Sequence, residues 1–364
     1  MLVNGQGYRS IWMDTEGVTV NIIDQTRLPH EFVVHSLATV EDAIVAIKDM
    51  QVRGAPLIGA TAAYGIYLGL REQCTQNQLE QISSRLVSCR PTAINLQWAV
   101  ARLNALLSKH PPQDWLELAC KEAASLCEED CEVNEAIGNH GAAIIARLWE
   151  AKQQKGRVDI LTHCNAGWLA TVDWGTALAP IYKAAQAGIP VHVWVDETRP
   201  RNQGAHLTAW ELQAAGIDHH LVVDNAGGHL MQQGLVDLCI VGTDRTAANG
   251  DVCNKIGTYL KALAAADNNV PFYVALPGST IDWATDNGVE NIPIEERGAE
   301  EILFVQGRRS AGTVEQVAIA PQGTCAYNPA FDVTPAHLVT GLITERGVAE
   351  ATSEGLLTLY PERR

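Results

Sequence analysis

The 364-residue sequence predicts an α/β chain in two parts: a mainly helical first half that opens with a short β segment, and a second half built on a parallel sheet. Three observations carry this reading. As far as Trp149 the apolar residues recur at helical spacing, and from Gly156 they gather instead into short runs separated by amphipathic segments. Each of those runs then ends in a small, polar cluster. Short apolar runs alternating with amphipathic stretches are the pattern of βαβ units, whose strands lie parallel and buried on both faces.

In chain order, Ser10 to Ile23 reads as extended, because Val18, Val20 and Ile22 alternate as a hairpin strand would. Helices are predicted over Val40 to Met50, Ile58 to Leu70, Ile94 to Leu107 and Trp115 to Trp149, with turn clusters between them. The charged stretch Glu150 to Gly156 marks a boundary, giving a helical domain at 1–150 and a catalytic domain at 151–364. Beyond it, strands are predicted at Val158 to Leu161, Val191 to Val195, His220 to Val223, Leu238 to Val241 and Phe272 to Leu276. Neither a long-period repeat nor a low-complexity tract interrupts the pattern, which argues against a solenoid.

Charge narrows the partners. Lys and Arg number 26 against 42 Asp and Glu, a formal charge of −16, so duplex nucleic acid and anionic membrane are repelled over most of the surface. A phosphorylated small molecule remains possible where a few cations converge. The chain has no basic-then-apolar start, and no apolar stretch approaches the roughly 20 residues that span a bilayer, so a cytoplasmic protein is expected. Its nine cysteines are scattered and odd in number, which in a reducing compartment means buried thiols. Cys120, Cys127 and Cys131 lie close on a predicted helix, but no second ligand pair completes a zinc site, so no metal is expected.

The five apolar runs end in Thr162-His163-Cys164-Asn165-Ala166-Gly167, Asp196-Glu197-Thr198-Arg199-Pro200, Asp224-Asn225-Ala226-Gly227-Gly228, Thr243-Asp244-Arg245 and Pro277-Gly278-Ser279-Thr280. One such cluster is an ordinary strand-to-helix turn. In an open α/β sheet, however, the carboxyl ends of neighbouring strands share one edge, and clusters carrying Cys, Arg and Asp there predict a site.

Four blocks are specific enough to identify a relationship: Arg53-Gly54-Ala55-Pro56-Leu57-Ile58-Gly59; Thr162 to Gly167; Glu197-Thr198-Arg199-Pro200 through Thr208; and Asp244 to Asp251 through Asn254-Lys255-Ile256-Gly257-Thr258. They closely resemble the 5-methylthioribose-1-phosphate isomerases, a resemblance that runs from Tyr8 to about Arg346 and includes Ile22 to Pro29 and Ile292 to Arg297. The wider superfamily holds the regulatory subunits of translation initiation factor 2B and archaeal ribose-1,5-bisphosphate isomerase. The resemblance implies a helical N-terminal domain, a Rossmann-like C-terminal domain, a homodimer, no cofactor, and a sugar-phosphate substrate. The sequence departs from the family at His206, where Arg is commoner, at Thr243, where Ala is commoner, and at Leu276 with Gly278, which alter the turn before Ser279.

The chemistry explains the residues. A phosphate on the anomeric oxygen blocks simple opening to an aldehyde, so the ring oxygen must be protonated by an acid kept neutral by burial. The resemblance implies that Asp244 is this acid and Cys164 its catalytic partner. Backbone amides of a helix after Asn165-Ala166-Gly167 would favour its thiolate, which could shuttle a proton from C2 to C1; alternatively hydride moves directly and Cys164 only shapes the site. His163, adjacent on an extended strand, reads as a structural neighbour. Arg53, Gly54 and Ala55 at a helix start, with Arg90 ahead of Pro91-Thr92 and Asn254-Lys255, match the family's substrate-binding positions, and Gln203 would bond sugar hydroxyls. Trp98, Trp168 and Tyr259 are more simply core than pocket, and the Asn249-Gly250-Asp251 turn is expected to orient Asp244 and its helix. A related pentose 1-phosphate, such as 5-deoxyribose 1-phosphate or ribose 1,5-bisphosphate, is an alternative substrate, and a non-catalytic initiation-factor-like subunit an alternative role. A dehydrogenase is disfavoured because no GxGxxG follows Val158 to Leu161.

Overall fold

Strands that are apolar on both faces are stable only in a sheet covered on both sides. The computed structural model, which describes residues 1–90 and 93–364, has such a sheet. Its seven strands are β1 (Val158–His163), β2 (Val191–Asp196), β3 (His219–Val222), β4 (Leu238–Val241), β5 (Phe272–Ala275), β6 (Gly341–Thr344) and β7 (Gly347–Ala349). They stand in the spatial order 3-2-1-4-5-6-7, with every neighbouring pair parallel except β6 and β7. This is the Rossmann order. It reverses between β1 and β4, and the crevice beyond the carboxyl ends of those two strands is where doubly wound sheets take their ligands. The strands predicted from the sequence do not include β6 and β7.

Alternation along the strands sends side chains to opposite layers. Ile160, Val193 and Ile240 pack with Leu178, Ile181 and Tyr182 on one face. Leu161, Cys239, Val241 and Leu342 pack with Ala262 and Ala265 on the other.

The first half opens with a short hairpin, Leu2–Val3 against Gln6–Gly7, followed by an antiparallel sheet of three strands, Ile11–Met13, Val20–Ile23 and Val34–Leu37. Val20 and Ile22 are buried as the alternation predicts, whereas Val18 precedes the strand and is exposed. Among the described residues five α-helices follow: α1 (Val40–Lys48), α2 (Ala55–Leu70), α3 (Gln76–Cys89), α4 (Ile94–Leu107) and α5 (Trp115–Ala151). A capping box between Thr39 and Asp42 starts α1. Helix α2 is apolar nearly all round and therefore central, the other helices and the small sheet packing about it.

Helix α5 joins the two halves. Its first turns place Ala119, Ala123 and Leu126 in the helical core, and its last place Ile137, Ile144 and Ile145 in the sheet core. Gly138 and Gly141 let it lie directly against Ala179 and Pro180 of α6 (Ala179–Gln186). A second sheet, in the order Ile281–Asp282, Arg245–Ala247, Val252–Lys255, Phe331–Thr334, grows from the end of β4. Among the described residues no helix is long and apolar enough to cross a membrane.

Candidate active site

β1 ends at His163, and Cys164 turns the chain with φ +65°, a left-handed conformation uncommon outside glycine. Two threonines hold that turn. The Cys164 amide donates to Thr198 Oγ1 at 2.9 Å, and Thr208 Oγ1 donates to the Cys164 carbonyl at 2.6 Å. The thiol donates to Gln203 Oε1 at 2.7 Å. No helix starts here, contrary to expectation: a 3₁₀ turn, Trp168–Ala170, follows, and the next α-helix begins at Ala179. The amides of a helix following β1 are therefore not what borders the sulfur.

β4 ends at Val241, and Asp244 follows after Gly242-Thr243. Its amide donates to the Cys253 carbonyl at 3.0 Å, and Thr243 Oγ1 donates to the same carbonyl at 2.9 Å. The segment beyond is a hairpin, Arg245–Ala247 against Val252–Lys255, rather than a helix. Asn249-Gly250-Asp251 closes that hairpin, with Gly250 at φ +91° and Asp251 accepting from the amides of Gly288 and Ala336. The turn fixes the hairpin that bears both Asp244 and Lys255.

Cys164 and Asp244 line one cavity of about 30 Å³ together with Arg53, Gly54, Ala55 and Asn254. Gln203 reaches it through the thiol, while Arg90 lines a neighbouring space on the far side of Asp244. Arg53 and Gln203 also face a wider cleft of about 450 Å³, which contains Arg201, His206 and the exposed hairpin Phe304–Arg308 with Val314–Ala318. Gly54 has φ +96° and lies so close to Ala170 that any side chain would collide with it. This glycine brings the start of α2, with Pro56 in its first turn, against the end of β1.

The cations are arranged in three ways. Arg53 is buried and donates from both terminal nitrogens to Asn165, to Oδ1 and to the carbonyl, each at 2.6 Å. Arg90 pairs with Glu295 at 3.0 Å, and Pro91 and Thr92, which follow it, lie outside the described residues. Lys255 is buried, and its ammonium lies 4.7 Å over the Phe331 ring and makes no hydrogen bond or ion pair with a described residue. Asn254 bonds Thr258 Oγ1 at 3.0 Å.

Burial pushes the Cys164 thiol and the Asp244 carboxyl up from their ordinary ranges, while Arg53 and Lys255 pull both back down. Burial also lowers Lys255, which Cys164 and Asp244 counter. These groups therefore sense one another across a poorly solvated space.

Several supporting residues were not singled out from the sequence. Glu211 is fully buried, pushed up by burial, and accepts from the Trp168 amide at 2.9 Å, the Leu169 amide at 3.1 Å, Asn165 Nδ2 at 2.9 Å and Tyr182 OH at 2.8 Å. It orients Asn165, which orients Arg53. Within its helix Glu211 reads like any solvated glutamate, whereas Thr198 and Thr208 fall inside the quoted blocks. Of the aromatics, Trp168 is core, Tyr259 is exposed, and Trp98 lines a separate cavity of about 330 Å³ with Trp283 and Tyr360. His206 lines the wide cleft and is pushed down to about 4 by burial, so it is neutral there. His192, Asp218 and His220 lie near one another at metal-ligand spacing, but at the amino-terminal edge of the sheet, remote from Cys164.

Comparison with known proteins adds identity to this geometry. A model of the initiation factor 2 subunit family matches residues 51–351. Methylthioribose-1-phosphate isomerase of Paramagnetospirillum magneticum is 62% identical over 363 residues, covering 100% of both chains. That of Sinorhizobium medicae is 60% identical with the same coverage. Among solved structures, 5-methylthioribose 1-phosphate isomerase from Pyrococcus horikoshii is 39% identical with a TM-score of 0.82, covering 98% of this chain and 97% of the other. The delta subunit of translation initiation factor eIF-2B from A. fulgidus is 41% identical with a TM-score of 0.79, covering 98% and 100%.

Proposed function

We infer, from the premise that this chain belongs to the methylthioribose-1-phosphate isomerases within the initiation factor 2 subunit family, that it converts 5-methylthioribose 1-phosphate to 5-methylthioribulose 1-phosphate. The observation that carries the mechanism is the single small cavity flanked by Cys164 and Asp244. Asp244, raised by burial, donates its proton to the ring oxygen as the bond from C1 to that oxygen breaks. Hydrogen then moves from C2 to C1, and the C2 hydroxyl gives up its proton as the ketone forms, restoring the acid.

Burial holds the Cys164 thiol toward its protonated form, and a protonated thiol is a poor base for abstracting hydrogen at C2. This favours direct hydride transfer, with Cys164 shaping the site. Arg53, Gly54, Ala55, Arg90, Asn254 and Lys255 would hold the phosphate and Gln203 the sugar, the Lys255 ammonium making no hydrogen bond or ion pair with a described residue. On this reading a helical unit, 1–150, supplies Arg53 and Arg90, and a catalytic unit, 151–364, supplies the rest. A cytoplasmic homodimer completes the proposal, the dimer being supported by exposed Leu221 on the edge strand β3 and Val223 directly after it. Nucleic acid is not a partner, in keeping with the charge of −16.

Phosphorus NMR of purified protein with 5-methylthioribose 1-phosphate should show the ketose 1-phosphate appearing; folded protein without turnover would refute the assignment. A deuterium at C2 should be retained at C1, and washout into solvent would restore the proton shuttle. Competing kcat/KM values with 5-deoxyribose 1-phosphate and ribose 1,5-bisphosphate test the 5-substituent.

A further inference from the structure

Behind the cavity lies a second polar layer. His163 is fully buried, and its Nε2 lies 2.8 Å from the Ile256 carbonyl, which can only accept, so Nε2 carries a proton. Its Nδ1 lies 2.6 Å from Oδ2 of Asp196, the last residue of β2, and Lys261 Nζ reaches that same oxygen at 2.8 Å. Ile256 directly follows Lys255. From the other side Asp332 accepts from the amides of Gly257 at 2.6 Å and Tyr259 at 3.1 Å, and Thr258 Oγ1 donates to the Lys255 carbonyl at 2.7 Å. Gly257, at φ +101°, would place a Cβ only 3.2 Å from the imidazole, so the loop is seated on the ring. The Lys255 ammonium makes no hydrogen bond or ion pair with a described residue. Its position is therefore set by how its backbone is held.

We propose that His163, backed by Asp196, is a positioning residue that grips the Ile256 carbonyl and thereby sets where the Lys255 ammonium stands relative to Cys164 and Asp244. The inference rests on the reading of Lys255 as a phosphate-binding cation. A buried, charged network stabilises less than an apolar filling of the same volume, and its characteristic gain is defined geometry, which suits this role.

Two substitutions separate the two bonds of the ring. His163→Gln keeps an amide long enough to donate to Ile256, whereas His163→Asn keeps a donor toward Asp196 but is too short for Ile256. With full-length protein, inorganic phosphate is titrated by phosphorus NMR and the isomerisation is followed at steady state. H163N should weaken phosphate binding and raise KM by about tenfold or more with a smaller fall in kcat, and H163Q should recover most of that loss. In a Lys255→Ala background, H163N should add little, because its effect runs through the lysine. Multiplicative losses in the double variant would overturn the proposal. So would equal behaviour of the Gln and Asn variants, or a lowered Tm with unchanged phosphate affinity and KM. If wild type binds phosphate more tightly than K255A but turns over no sugar phosphate, the isomerase reading fails while the positioning test still stands; equal phosphate binding by wild type and K255A overturns the positioning role itself.

Discussion

Asp244 and Cys164 owe their proposed roles to one physical cause, since burial pushes both toward their protonated forms while Arg53 and Lys255 pull the other way. An acid whose pKa is raised loses its proton only at higher pH, so kcat should fall as pH rises through the raised Asp244 value, and a log kcat against pH profile checks this. Asp244→Asn, which cannot donate an acidic proton, should cost about 10²- to 10⁴-fold in kcat. Phosphate binding should survive, because the cations remain. A second carboxyl offers an independent stability test away from the chemistry. Asp130 on α5 is pushed up to about 7 by burial, and its Oδ2 accepts the Val172 amide at 2.7 Å. The folded protein thus holds this proton more tightly than the unfolded chain, whose carboxyl titrates near about 4. Its contribution is fully present at low pH and is lost as pH climbs through about 7. Asp130→Asn keeps an oxygen for Val172 without the charge. Its Tm should match or exceed that of wild type at pH values above the raised pKa, and the gap should shrink toward acid; a gap that widens toward acid would contradict the assignment.

At the scale of elements, the contact of α5 with α6 controls how the helical half sits on the sheet. A Cβ on Gly141 would overlap the Pro180 ring, and one on Gly138 would lie 3.0 Å from Ala179 Cβ. Gly141→Leu should therefore force the helices apart and destabilise by about 1–3 kcal/mol, seen as a lowered denaturation midpoint with an unchanged slope. Elements with strong periodicity were legible: the five expected strands and the helices at Val40, Ile94 and Trp115 form where the pattern puts them. Elements that depend on tertiary partners were not. The hairpin after Asp244 takes its strands from pairing with Phe331–Thr334 and Ile281–Asp282, residues distant in sequence. At the 3₁₀ turn after Cys164 the Trp168 and Leu169 amides are taken by Glu211, a contact that no local pattern encodes. For the same reason the convergence at the strand ends was legible from the β1 and β4 clusters, but the prior engagement of Arg53 by Asn165 and of Arg90 by Glu295 was not.

For the whole molecule, the site is a junction. Arg53 and the start of α2 come from the helical half, Cys164 and Asp244 from the sheet, and Arg90 is tied by its ion pair to Glu295, 205 residues further along the chain. The space between sulfur and carboxyl, about 30 Å³, is of the order of what a single water needs and far below the volume of a sugar phosphate. Substrate must therefore widen it. The open approach is the cleft of about 450 Å³, where Gln203 meets the thiol on one side and the Phe304–Arg308 hairpin forms the opposite wall. A ligand at about a hundred times its Kd stabilises the folded state by ~2.7 kcal/mol. Saturating ketose 1-phosphate should raise Tm accordingly and slow amide exchange both at 54–58 and across 300–318. Protection at 54–58 with none across 300–318 would place substrate entry on the Arg90 side instead. The same measurement on Asp244→Asn should give nearly the wild-type protection, since that variant is expected to keep its anion-binding cations and lose only the proton it delivers.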